Sequence, residues 1–409
     1  MRDWKTLLAV PKFRALWIAL ICANLGAWGM MAALPILVSA RFGAGGALVL
    51  SMTWRILPKI LLAPLAGVLL RRFGAPIVVC LTLLGESVLT VILPWCEDFV
   101  LLQIVIAAIG ALDVFVLPGL LSLRGVVTPA GFELAGNSLF SMADRLGKTL
   151  GPIIGGLAVL SGFGPAFACF ALATCLAALP VSGLPRPPRS NGGEATRALG
   201  MPREFWRMLR GDRVLTGLLV CAVSYSVMMG GLRPFLFWAN REWFGAADTA
   251  WTGLMAAQGV GAIAGALVAG MFNRALLRHA SAYTLTMLTG LLEGAIDLLL
   301  LFCPWGPMGP LVAMGLLALA GIPEVVSAAT WFTAMQQRLP ADRQIVFFAF
   351  TAPLWDCAFA IGVMSAGFHA SGTLALGSWW TMLTLTATLP ILPVLFWDRR
   401  RRSAAMKEA

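Results

Sequence analysis

About twelve predominantly apolar runs, each of ~18–26 residues, follow one another along the chain between short polar turns. A helix of that length crosses the ~30 Å of hydrocarbon in a bilayer. The pattern predicts transmembrane helices over about 14–38, 48–70, 76–95, 100–122, 136–161, 166–184, 214–238, 251–272, 281–303, 310–335, 344–368 and 378–397. The short alternating strands that a membrane barrel needs are missing from the sequence. The expected fold is an all-α membrane protein with twelve transmembrane helices in two pseudo-symmetric six-helix bundles.

One long polar stretch divides the helices six and six. The expected domains are an N-terminal bundle (1–184), a basic cytoplasmic linker (185–213), a C-terminal bundle (214–397) and a basic cytoplasmic tail (398–409). Within the linker, Phe205, Trp206, Met208 and Leu209 alternate with Arg203, Arg207 and Arg210. That suits either a short helix lying on anionic headgroups or a disordered basic linker.

The two halves repeat one another at slowly changing offsets. At 198 residues, Met30 to Leu34 meets Met228 to Leu232; at 203, Gly67 and Arg71 meet Gly270 and Arg274. At 207, Thr82, Glu86 and Cys96 meet Thr289, Glu293 and Cys303. At 211, Gly110, Asp113, Gly151 and Gly156 meet Gly321, Glu324, Gly362 and Gly367. Differences in loop length account for the drift. A parallel duplication of this kind puts a solute path between the halves, near the midplane.

Composition agrees with membrane residence: 59% of residues are hydrophobic and 12% charged, about half the charged fraction of a soluble protein. The net charge of +11 is not a nucleic-acid signature, because it is one-sided. Arg41 and Arg241 fall on one side, five cations fall inside helices, and the other Lys and Arg gather on the opposite side. This bias predicts both termini in the cytoplasm. The first apolar run is too long for a signal-peptide core. Most of the eight cysteines read as small packing residues inside helices.

Twelve ionisable side chains lie inside the predicted helices. Facing lipid, they would cost roughly 30–40 kcal/mol as an upper bound, so they must face protein or water. Asp113 and Glu324 come first, since each follows a glycine by three positions near mid-depth. A carboxyl taken out of water favours its protonated form, and hydration releases the proton. Glu86 and Glu293 form a second proton-coupling pair, with Asp297 one turn beyond Glu293. The alternative for all of them is a structural ion pair or a hydrogen-bonded neutral acid. The cations are Arg55 and Lys59, one turn apart, then Arg145, Lys148 and Arg233. Asp144 precedes Lys148 by four positions, a favourable pairing. Arg55, Lys59 and Arg233 are candidates for holding an anionic solute, with Asn24, Trp28, Trp54 and Trp355 as polar or stacking contacts. The bland alternatives are interhelical hydrogen bonds and interfacial tryptophans. His279 and His369 map to opposite sides, and no Walker-type loop is present, so no metal, nucleotide or other cofactor is expected; a proton gradient would drive the cycle.

The segments FRALWIALICANLGAWGMMAALPILV (13–38), WRILPKILLAPLAGVLLRRFG (54–74), ELAGNSLFSMADRLGKTLGPIIGG (133–156) and MQQRLPADRQIVFFAF (335–350) resemble the major facilitator superfamily. The nearest likeness is to its branch of macrolide-efflux and enterobactin-exporter-like proteins. The resemblance implies two bundles, alternating access and proton-coupled export of drugs or siderophores. It also implies that helices 5 and 11 face each other, which makes Arg145–Asp356 a candidate gate pair beside Asp144–Lys148. Two motifs depart from the family. Its Gly-x-x-x-Asp-Arg-x-Gly loop is here Gly67-Val68-Leu69-Leu70-Arg71-Arg72-Phe73-Gly74, with arginine in the acid's place, as at Arg274 after Gly270. Its helix 1 acid in an Asn-Leu-Gly-Asp-like run is Ala27 here, so other acids would carry a proton.

The expectation is a secondary transporter and not an enzyme: a proton antiporter, multi-pass in a bacterial cytoplasmic (inner) membrane. It would export a small organic solute bearing carboxylates, such as a siderophore or drug. It would be monomeric, in contact with lipid and not with nucleic acid. An importer, a lysolipid translocator and a transport-inactive receptor or assembly partner are the alternatives.

Overall fold

The computed structural model describes residues 2–129, 132–185, 203, 205–339 and 341–394. No strand occurs among the described residues. A short helix, Arg2–Ala9, leads into twelve long ones: α1 Pro11–Phe42, α2 Gly46–Phe73, α3 Ala75–Ile92, α4 Phe99–Val127, α5 Glu133–Val159 and α6 Phe163–Ser182, then α7 Arg213–Glu242, α8 Trp251–His279, α9 Ala282–Leu299, α10 Gly309–Arg338, α11 Ala341–Ser365 and α12 Leu376–Thr388. Among the described residues, nine helical stretches are long and apolar enough to cross a membrane. The helices outside this set are α5, which carries Asp144, Arg145 and Lys148, α11, and the 13-residue α12.

Side chains at the helix starts set these boundaries. Asp98 accepts from the Leu101 N–H (2.8 Å) before α4, and Asp212 from that of Val214 (2.9 Å) before α7. Ser281 caps α9 through the Thr284 N–H at 3.2 Å. Each satisfies a donor that the first helical turn leaves open. Gly74, at φ +89°, makes the sharp turn from α2 to α3 that a side chain would strain.

The chain divides into two compact units: Met1–Ser190 with Ala247–Ala256, and Asn191–Ala246 with Ala257–Ala409. In unit 1, α1 packs on α5 and α6, α2 on α4, and α3 on α4 and α6. In unit 2, α7 packs on α11 and α12, and α9 on α10 and α12. The partners are the same, six helices on. Glycines make the closest crossings. A Cβ on Gly110 of α4 would strike the Arg55 carbonyl of α2, and one on Gly321 of α10 the Gln258 carbonyl of α8. Gly151 of α5 lies on Trp28 and Gly29, and Gly362 of α11 on Val227 and Gly231. The repeat read from sequence is thus a repeat of helix crossings, with small residues admitting a neighbouring backbone.

The segment 205–211 is helical. Its apolar face does not lie on headgroups. Phe205, Met208 and Leu209 are buried in the core of unit 2 with Leu215, Leu218, Met287, Met335 and Phe347. Phe205 stacks on Phe350 with 5.1 Å between ring centroids. The i, i+3, i+4 spacing that would suit a lipid surface here finds a protein one. Trp206, 60% exposed, points away from that core.

Candidate functional site

In unit 1 the close approach at Gly110 sets α2 against α4 where both carry charge. Arg55 Nη2 and Lys59 Nζ lie 3.8 and 4.0 Å from Asp113 Oδ2. These separations exceed the ~2.7–2.9 Å of a charge-assisted hydrogen bond, so both cations can turn to another acceptor. Arg55 is 8% exposed, whereas the Lys59 and Asp113 side chains keep 29% and 32% of their surface. From α3, buried Glu86 feels the charges of Asp113, Arg55 and Lys59. The sulfur of Met30 closes the cluster, 3.9 Å from Arg55 Nη1 and 3.7 Å from Thr90 Oγ1. Two acids meet two cations, and the buried Oε1 of Glu86 has no hydrogen-bond partner among the described residues.

In unit 2 the crossing at Gly321 builds a different cluster. Gln258 Nε2 donates to Glu324 Oε2 at 3.3 Å and lies 3.9 Å from the Met229 sulfur. The phenol of Tyr225 on α7 also hydrogen-bonds Glu324. Glu293 and Asp297 on α9 are each 1% exposed. The charged groups bearing on them are carboxyls: Glu324 on both, and Asp297 on Glu293. Both carboxyl oxygens of Glu293, and Oδ2 of Asp297, have no hydrogen-bond partner among the described residues. On the α12 side, Trp380 Nε1 donates to the Asp297 backbone carbonyl at 3.0 Å.

The structure therefore brings Arg55, Lys59, Asp113 and Glu86 together in one unit, and Glu293, Asp297 and Glu324 in the other. Gln258 reads from the sequence as a candidate polar contact or an interhelical hydrogen bond, and the latter is found; sequence reasoning missed Tyr225. The offset of 203 that pairs Gly67 with Gly270 also pairs Arg55 with Gln258 and Lys59 with Ala262, and the offset of 207 pairs Thr90 with Asp297. At equivalent places unit 2 has an amide and a methyl for two cations, and an acid for a hydroxyl.

Other candidates lie apart from these clusters. Asp144 and Lys148 form an ion pair at 2.9 Å across one turn of α5, with Lys148 Nζ 5.7 Å from the Trp28 ring centre. Arg145 is half-buried on α5 of unit 1 and Asp356 half-buried on α11 of unit 2. Arg233 lies over the Phe359 ring at 5.2 Å. Asn24 packs beneath Gly147, its buried Nδ2 without a partner among the described residues. Trp54 is exposed; Trp355 lies edge-on to Trp331 at 5.3 Å. In the cytoplasmic gate loops, Arg72 is exposed beside the Phe73 ring. The side chains of Arg71 and Arg274, and the surroundings of Gly67 and Gly270, lie outside the described part, as do 186–202 and 395–409. Cys96 and Cys303 are both free thiols.

Solved structures with the same architecture are transporters. They include a peptide transporter POT in complex with sulfate (15% identity, covering 97% of this chain and 98% of that one, TM-score 0.75). The human organic anion transporter MFSD10 (17%, 94% and 99%, TM-score 0.67) and a mutant of the nucleoside transporter NupG (12%, 94% and 98%, TM-score 0.72) are also similar. At these identities the likeness is one of fold. No curated protein matches the sequence. The family model described as Major Facilitator Superfamily matches residues 16–363. With twelve long helices among the described residues, in two like-built units, and a family match over most of its length, the chain belongs to the Major Facilitator Superfamily, a multi-pass membrane transporter and not an enzyme.

Proposed function

We propose that this transporter is a proton-coupled antiporter that exports a small organic solute bearing a carboxylate or another anion, such as a siderophore or an acidic drug. Its setting is a bacterial cytoplasmic membrane with both termini on the cytoplasmic side. The observation that carries the substrate reading is the loose ion-pair geometry of Arg55, Lys59 and Asp113, with Lys59 and Asp113 partly exposed. A solute carboxylate could take the place of Asp113, bound bidentately by the planar guanidinium and by the ammonium as a point charge. The one-sided distribution of Lys and Arg supports the orientation, and the efflux-branch motifs support the direction. A proton drives such a cycle only if it binds the two facing states with different affinity.

Two measurements test this. Comparing metabolites in the medium of a deletion strain identifies the solute and direction. Solute-dependent proton flux in proteoliposomes then tests the coupling. Arg55→Ala and Lys59→Ala should each lower transport far more than membrane insertion; equal loss of both removes the anion reading.

A further inference from the structure

Resting on the reading of the chain as a proton-coupled transporter, we propose that a proton site lies in unit 2. Glu293 and Asp297, together with Glu324, hold the protons; Tyr225 and Gln258 are positioning residues for Glu324.

Four features converge on this site. Burial is the first: Glu293 and Asp297, one turn apart on α9, are each 1% exposed. The second is hydrogen bonding. A buried carboxylate needs several donors to replace lost water, yet both oxygens of Glu293 and Oδ2 of Asp297 lack any among the described residues. A neutral carboxyl in an apolar site makes a smaller demand. Third are the neighbours. From α10 comes Glu324, and from α7 comes Tyr225. Elsewhere on α7, Cys221 faces the Met287 sulfur and Arg233 lies over Phe359, two turns beyond Tyr225. Further along α10, Arg338 is paired with Asp212 at 3.2 Å. α12 has no ionisable side chain between Leu376 and Thr388; it brings Trp380, fully buried Thr384 and Thr388, which lies on Gly294.

The fourth is the internal repeat. Unit 1 keeps the same frame but holds Arg55 and Lys59 where unit 2 holds Gln258 and Ala262, and Thr90 where unit 2 holds Asp297. The two carboxyls of unit 1 thus lie among two cations, whereas the charged groups bearing on the α9 pair are carboxyls. Glu293 and Asp297, buried beside the half-buried Glu324, reach neutrality by taking protons. The chemistry is a proton passing from hydronium in bulk water to a carboxylate oxygen, leaving water, and the reverse on release. Tyr225 and Gln258 both donate to Glu324, which holds that carboxyl in place and leaves the α9 pair as the less constrained acceptors.

Infrared difference spectroscopy on the purified full-length protein tests the assignment, because protonated carboxyls have a separate carbonyl stretch. It needs no solute, so its outcome is independent of the transport reading. At neutral pH the wild type should show this band. Glu293→Gln and Asp297→Asn should each reduce it; Trp206→Ala should leave it unchanged. An unaltered band in both α9 variants overturns the proposal. Should a variant not fold, the wild type decides: no band at neutral pH overturns the proposal, and a band that disappears as alkaline pH is reached supports it. A band of the predicted origin in a protein that moves no solute would leave the proton site standing and remove the transport reading.

Discussion

Where α2 crosses α4, Gly110 admits the backbone of Arg55; where α8 crosses α10, Gly321 admits that of Gln258. Each of those side chains turns to an acid three positions after the glycine, Asp113 in one unit and Glu324 in the other. Each also lies 3.9 Å from a methionine sulfur, of Met30 or Met229. The frame is common, and the charge is not. Helix crossings made by backbone on glycine leave the facing side chains free to change. A cation can thus become an amide without disturbing the packing, and the two halves can take up different chemistry.

The largest effects should come from attacking the frame. Gly110→Leu and Gly321→Leu both force a side chain into a neighbouring backbone and should each cost about 3 kcal/mol or more. Thermal unfolding in detergent reads this, and tolerance of one but not the other would break the claim of a common frame. Next is the contrast in charge. Asp113→Asn leaves Arg55 and Lys59 without their acid. The loss should be about 1–3 kcal/mol, below the ~3–5 of a fully buried pair because Asp113 is partly exposed. Glu324→Gln keeps a neutral hydrogen-bonding group and should cost under about 1 kcal/mol. Equal losses would argue that the clusters are electrostatically alike.

A third prediction concerns pH. If Glu293 and Asp297 hold protons in the folded chain, unfolding into water releases them at neutral pH. The folded state then binds more protons, and its stability is full at low pH and falls as pH rises. The slope is about 1.4 kcal/mol per pH unit for each proton concerned. Glu293→Gln should flatten that decline, while Trp206→Ala should not. The smallest effect is expected at Trp206, whose replacement by alanine should change stability by no more than about 0.5 kcal/mol, against about 3–5 kcal/mol for Phe205→Ala on the same short helix.

Much of the frame was legible in the chain. Apolar runs long enough to span a bilayer give the helices, with the larger misses at the C-terminal ends of α8 and α12, and glycines recurring at stepped offsets give the repeat. Asp113 and Glu324 were visible because each follows a matched glycine. The content of the clusters was harder to read. The match of Arg55 with Gln258 lies twelve residues before the glycine that anchors its offset, and unlike residues do not announce themselves as equivalents. Tyr225 joins through a crossing of α7 that no linear spacing displays. The helix holding Phe205 was ambiguous for another reason: an amphipathic face has one sequence pattern, whether lipid or protein covers it.

The most direct test exchanges the two polar partners of the acids, one at a time. In Arg55→Gln, affinity for the solute should fall about 10–100-fold, the loss of one charged hydrogen bond of about 1.5–3 kcal/mol, while proton uptake by the protein is retained. In Gln258→Arg, proton uptake should be lost while solute affinity is retained. Two variants that each lose both properties, or lose them in the opposite assignment, would contradict the division of labour between the units.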